Sequence, residues 1–183
     1  MTLGEAKAKT LKLMDEYSSR GARVQDPDLE AKMPALFDIA QKQLSQIKKI
    51  VRRYDVPVSP GVTDYPMPGD YAGLRRLWVD GQPGTAGTWF GNTLTLSGDE
   101  TRNIMVEYNA YPADIPDDAP DDYEFEISRD AQECMPYWVA AQPFIADNFV
   151  VNYKDLMGMY DRMVAALDTS IPGSAAVVKM GWF

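Results

Sequence analysis

The periodicity of this sequence changes twice. Up to residue 55 apolar residues recur at helical spacing. From Val56 to Pro112 they fall in short runs punctuated by glycine and proline, and after Ser128 helical spacing returns. This constrains the fold more than any motif does. A β-segment of about fifty residues cannot bury a face by itself, so helices or neighbouring subunits must cover it.

The opening helix, "TLGEAKAKTLKLMDEY", has Thr2 and Glu5 at capping-box spacing, with Leu3, Ala6, Thr10, Leu11, Met14 and Tyr17 along one stripe. "SSRGARVQDPD" breaks it. A second helix starts with Asp26 as N-cap and Pro27 at its first position. Its apolar face is expected to run from Leu29 through Met33, Leu36, Phe37, Ala40, Leu44, Ile47, Ile50 and Val51 to Tyr54, with Pro34 kinking it or marking its true start. In the middle segment "LRRLWVDG", "GTWFGNTLTLSG" and "NIMVEYNAYP" read as strands, and "FGNT" as the best hairpin turn. "SRDAQECMPYWVAAQPFIADNFVV" reads as a third helix, bent or broken by Pro136 and Pro143. "NYKDLMGMYDRMVAALDTS" reads as a fourth, with Leu156, Met159, Tyr160, Met163, Val164 and Leu167 on one side.

The expected fold is therefore mainly α with a β-insertion: a four-helix bundle-like core, two helices on either side of a small antiparallel β-subdomain, and an extended C-terminal arm. The divisions are 1–55 and 128–169 for the helical core, 56–112 for the insertion, 113–127 for an acidic proline-rich connector and 170–183 for the arm.

Composition excludes several chemistries. The chain has 183 residues, one cysteine and no histidine. An intrachain disulfide is impossible, and Ser-His and Cys-His nucleophile pairs and the usual transition-metal sites lack a ligand or base. The net charge of −9 repels phosphate overall, unlike a nucleic-acid reader. "MTLGEAKAKT" has no apolar core of a signal peptide, and no run approaches the ~20 apolar residues of a membrane span. A soluble protein made in the cytoplasm, with no cofactor, is the expectation.

Seven of the thirteen residues from 114 to 126 are acidic, interrupted by Pro116 and Pro120. An EF-hand counted from Asp114 fails, because the third position is Pro116 and the sixth, which must be glycine, is Ala119. A calcium site of another pattern stays open. A glycosidase-type pair needs two carboxylates on rigid elements with one buried in apolar surroundings, which adjacent acids in a proline-rich loop do not offer. A stiff, self-repelling connector leading to a helix N-terminus is the expectation. "KKIVRR" reads as cations at the end of the second helix rather than a nucleic-acid patch. "GDYAG" and "GQPGTAG" match neither the P-loop nor the dinucleotide fingerprint. Cys134 and the aromatics of "PYWVAAQPF" read as core.

The tail differs. Ile171, Val177, Val178, Met180, Trp182 and Phe183 would expose large apolar groups if it hung free, and such surfaces mark interfaces. Docking on another subunit's groove or sheet edge is expected, with a tail folded back on its own β-insertion as the alternative.

In order, the opening helix, "DPDLEAKMPALFDIAQKQLSQIKKI", the turn "YPMPGDY" entering the β-part, "MVEYNAYPADIPDDAPDDYEFEIS", "AQECMPYWVAAQPFIADN" and "YKDLMGMYDRMVAAL" resemble the head-to-tail adaptor (connector) proteins of tailed bacteriophages. The resemblance covers most of the chain and lies in the order of degenerate segments. It implies a small helical bundle, sometimes with a β-insertion, and no catalytic residues. It implies a ring of about twelve copies closed by heterologous contacts. That ring would lie beneath the portal in the virion neck, complete the channel for double-stranded DNA and present a platform for a downstream tail or nozzle protein. The arm from about Ile171 to Phe183 would reach the portal or a neighbour. Asp114, Asp117, Asp118, Asp121 and Asp122 would line an acidic channel or its rim, where DNA gains no phosphate contacts. A general helical interaction module unrelated to phage, and a carboxylate-based hydrolase, are the alternatives.

Overall fold

A computed structural model of the chain describes residues 1–17, 27–146, 150–167 and 174–175. The chain forms two compact units. One comprises residues 1–48 and 112–173; the other comprises 49–111 and the residues from 174 onward.

The first unit is helical. Helix α1 (Leu3–Tyr17) starts with a complete capping box: the Thr2 amide donates to Glu5 Oε2 at 2.9 Å, and the Glu5 amide to Thr2 Oγ1 at 3.3 Å. Helix α2 (Pro27–Ile47) begins at a proline, whose missing N–H costs nothing there, and runs on through Pro34. The third helical stretch is broken just before Pro136, whereas Pro143 stays inside the helix that follows. A short α3 (Arg129–Gln132) ends before α4 (Met135–Ala146), which places Pro136 in the first turn of α4, where its missing donor has no partner to lose. Helix α5 (Val150–Ala165) follows.

Helix α4 organises this unit. Its sequence, "MPYWVAAQPFIA", is apolar on all sides, as a helix surrounded by protein must be. It packs against α1, α2, α3 and α5, and Met135, Val139, Ala140 and Ala141 are fully buried. Phe37 of α2 meets Phe125 with ring centroids 5.7 Å apart.

The second unit is built of two sheets. Strands β1 (Ile50–Val56), β3 (Tyr71–Val79), β4 (Gln82–Pro83), β7 (Ile104–Ala110) and β8 (Ser174–Ala175) form one, in the order β4-β3-β7-β1-β8. All its pairings are antiparallel except β1 with β8. Strands β2 (Asp64–Pro66), β5 (Thr88–Phe90) and β6 (Thr93–Thr95) form the other, in the order β2-β6-β5. The hairpin at "FGNT" is present: Phe90 pairs with Thr93, and Gly91 takes φ 58° at the turn. Strand β7 alternates strictly, with Ile104, Val106, Tyr108 and Ala110 buried and Met105, Glu107 and Asn109 on the opposite face.

Two expectations are overturned. The fold is not mainly α around a four-helix bundle; it is a mixed α/β structure, 42% helix and 24% strand in two sheets. The helices do not share a common bundle core but gather around α4, while the β-residues build a core of their own from Leu77, Leu94, Leu96, Ile104 and Val106. The second helix also stops at Ile47 instead of running to Tyr54. "IVRRYDV" satisfies a helical stripe, but its β-branched and aromatic residues pair along their whole length with β7, from Ile50–Ala110 to Val56–Ile104. Arg52 and Arg53 are thus strand residues and complement no helix C-terminus.

Candidate functional site

The acidic segment is anchored to the helical unit rather than strung out in solvent. Buried Gln41 of α2 ties its two ends: Gln41 Oε1 accepts from the Glu126 amide at 2.9 Å, and Nε2 donates to the Ala113 carbonyl at 3.4 Å. The Glu126 carboxylate accepts from the Ala113 amide at 2.8 Å. Asp38 accepts from the Ile115 amide at 3.0 Å, and Lys42 bridges Asp38 and Asp114, each at 2.6 Å. Hydrogen bonds to Asp114 and Asp38 push the Lys42 ammonium pKa above its ordinary value, outweighing the effect of burial.

Between these anchors run two successive turns of the same sequence type. In Pro116-Asp117-Asp118-Ala119 the Ala119 amide donates to the Pro116 carbonyl at 3.0 Å; in Pro120-Asp121-Asp122-Tyr123 the Tyr123 amide donates to the Pro120 carbonyl at 3.0 Å. The second turn is used internally. The carbonyls of Asp121 and Tyr123 accept from the Gly4 and Leu3 amides at 2.9 Å each, which satisfies donors that the first turn of α1 would otherwise leave orphaned. Asp121 also pairs with Lys7 at 2.9 Å. Gly4 is required here, because a Cβ on it would lie 2.9 Å from Asp121 Cβ. The helix end that meets these carboxylates is therefore α1, not the helix that follows them in sequence. The first turn is different: Asp117 and Asp118 are exposed and form no ion pair with a described residue. They sit in water rather than in the apolar pocket a hydrolase acid needs. Among the described residues no group of three or more His, Cys, Asp or Glu side chains is arranged to hold a metal ion.

The other concentration of polar chemistry lies on the five-stranded sheet. The face of β7 opposite its buried residues carries a row across three strands, Arg53–Glu107–Arg76, and beside it the row Asp55–Met105–Trp78. Glu107 accepts from Arg53 Nε and Nη2 at 3.2 Å each and pairs with Arg75 at 3.5 Å. The guanidinium carbons of Arg53 and Arg76 lie 5.9 and 5.6 Å from the Trp78 ring centroid, a cation–π arrangement on both. Arg76 forms no ion pair with a described residue. Trp78 Nε1 is buried and has no hydrogen-bond partner among the described residues. Trp78 lines a cleft of about 350 Å³ with Asp55, Val56, Gly81, Asn103, Ile104 and Met105. On the buried face Arg52 pairs with Asp70, and Tyr108 Oη donates to Asp70 at 3.0 Å. Burial, then that hydrogen bond, pushes the Tyr108 phenol up to about 12.

Of the residues expected in the C-terminal arm, Ile171, Val177, Val178, Met180, Trp182 and Phe183 lie outside the described residues. Ser174 and Ala175 pair in parallel with Ile50 and Val51 of this chain's own sheet, so at these two positions the fold-back alternative holds. The sequence reading missed three features: Gln41, a polar residue hidden among helical ones; the register that brings Arg53, Arg76 and Trp78 together; and the doubling of the proline turn. The last was visible in "PDDAPDDY" as a four-residue repeat. No family model and no curated protein matches the chain.

Proposed function

We propose that the chain is a head-to-tail adaptor of a tailed bacteriophage, a virion structural protein made in the bacterial host. It forms a homo-oligomeric ring, about twelve copies by the resemblance, beneath the portal. The ring completes the DNA channel and carries the downstream tail or nozzle protein. What carries the reading is the order of parts: two helices, a β-unit inserted at Lys49–Tyr111, an anchored Pro/Asp passage, then the proline-broken helix and α5. The expected bundle core is not part of the reading. Charge supports it: at −9 the chain as a whole repels DNA, and a channel wall must let the duplex slide. The face of Arg, Trp and Met side chains on β1, β3 and β7 has the composition of interface cores.

The test is to mix the purified chain with the portal protein encoded beside its gene and image the mixture by negative stain. A ring of adaptor density under the portal is expected. A chain that stays monomeric and ignores that portal would overturn the assignment. Sizing the protein alone is not enough, since an adaptor can wait for the portal before it assembles.

A further inference from the structure

We infer that the turn Pro116–Ala119 of one copy docks on the Arg76–Trp78 face of a second copy, with the Asp117 and Asp118 carboxylates as acceptors. The inference deepens the ring assignment above and rests on it, but the contact is read from two unmet requirements. On the sheet, Trp78 Nε1 is a buried donor without an acceptor among the described residues, and a buried orphan donor is unfavourable unless something supplies one. Beside it Arg76 covers the indole ring and forms no ion pair with a described residue, whereas Arg53, the other guanidinium over that ring, has Glu107. Arg76 is the cation this face leaves unmatched, and a cleft of about 350 Å³, lined by Trp78 and Asp55 among others, opens beside it.

On the turn the deficit is reversed. Asp117 and Asp118 are carboxylates with no cation among the described residues, carried at the two central positions of a closed turn. The second turn shows what such an element does when it finds its partner: Asp121 takes Lys7 and packs on the end of α1. The backbone of the first turn is already fixed by the Ala119–Pro116 hydrogen bond and the Gln41 and Asp38 anchors, so docking costs little ordering entropy. Tryptophan and arginine are the residues that dominate interface energetics. The two patches differ, so the contact is heterologous, the kind that closes a ring by repetition.

Three variants and a cross-link test this on the portal-mixed protein. Arg76→Glu, and separately Asp117→Lys with Asp118→Lys, are each expected to raise the concentration needed for ring formation by about tenfold or more, as loss of a close charge pair does. Circular dichroism should be unchanged, because all three positions are exposed. Combining Arg76→Glu with both lysine substitutions should recover much of the loss. Oxidised Arg76→Cys/Asp118→Cys protein should run as a ladder of multimers on a denaturing gel. Swap variants that assemble like the parent, while the parent forms rings, would overturn the contact and leave the adaptor assignment standing. A disulfide only within monomers would overturn it as a contact between copies. Asn at 117 and 118 that leaves assembly intact but makes DNA stick would return those acids to the channel. If the parent forms no ring, the assignment fails and this contact with it.

Discussion

Gln41 shows how much one buried amide can hold. Its two polar groups fasten residues 113 and 126, and with them every turn between. Gln41→Ala removes both and leaves the Glu126 N–H without its acceptor. The expected loss is about 1–3 kcal/mol, read as a lower urea midpoint at unchanged slope. Cys134 makes the opposite point, since its isolation is what matters. It is 1% exposed, and burial, followed by the charges of Asp130 and Glu133, pushes its thiol up to about 11. A raised thiol pKa means the neutral form persists, so at pH 8 about one molecule in a thousand carries a thiolate. Native protein should resist iodoacetamide for hours at that pH and label fully in guanidinium; labelling at the rate of a free cysteine would show the core is open. The burial of Cys134 was legible from residue type and context. The role of Gln41 was not, because its partners are main-chain atoms whose positions exist only once the fold does.

At the level of elements, what the sequence showed and what it hid separate by cause. The capping box of α1, the break just before Pro136 and the "FGNT" hairpin were legible because each is fixed by a few neighbouring residues. The end of α2 was not. Residues 50–56 fit a helical stripe, and only pairing with β7, 48 to 60 residues away, decides for strand. The bundle expectation failed for the same reason: periodicity tells which face of a helix is apolar but not that α4 takes the centre. The hairpin offers a clean test of backbone against packing. Gly87 and Gly91 have nearly the same φ, 59° and 58°, but a Cβ on Gly87 would lie 2.0 Å from the Thr95 carbonyl oxygen, while one on Gly91 meets nothing within 4 Å. Gly91→Ala should therefore cost only the left-handed penalty of about 1–2 kcal/mol. Gly87→Ala must also displace β6 and should cost more than twice that, measured by thermal unfolding of each variant. Equal losses would mean that the close approach at Gly87 is absent.

For the whole molecule, charge separates folding from assembly. The fold's ion pairs tie together parts distant in sequence: Lys48, itself 5% exposed, holds Asp130, and Lys7 holds the exposed Asp121. Burial alone would raise the Asp130 carboxyl, but hydrogen bonds from Lys48, Ser128 and the Ala131 amide outweigh it and its pKa lies below the ordinary value. A lowered carboxyl pKa stabilises the folded state above the unfolded value of about 4, and that contribution is lost as pH falls through the folded one. Asp130→Asn should therefore flatten the fall in stability below pH about 4 and leave the pH 6 to 8 plateau level, though lower. The proposed assembly would draw on other charges, Arg76 of one copy and Asp117 and Asp118 of the next, which salt screens over about 10 Å at 0.1 M ionic strength. Raising sodium chloride from about 0.05 to about 0.5 M should thus dissolve rings, or raise severalfold the concentration at which they form, while the melting temperature of the subunit moves little. Light scattering and calorimetry on the same samples make the comparison. If rings persist unchanged through that range, their cohesion is apolar and must come from surfaces other than the Arg76–Trp78 face, where Arg53 has Glu107 but Arg76 forms no ion pair with a described residue.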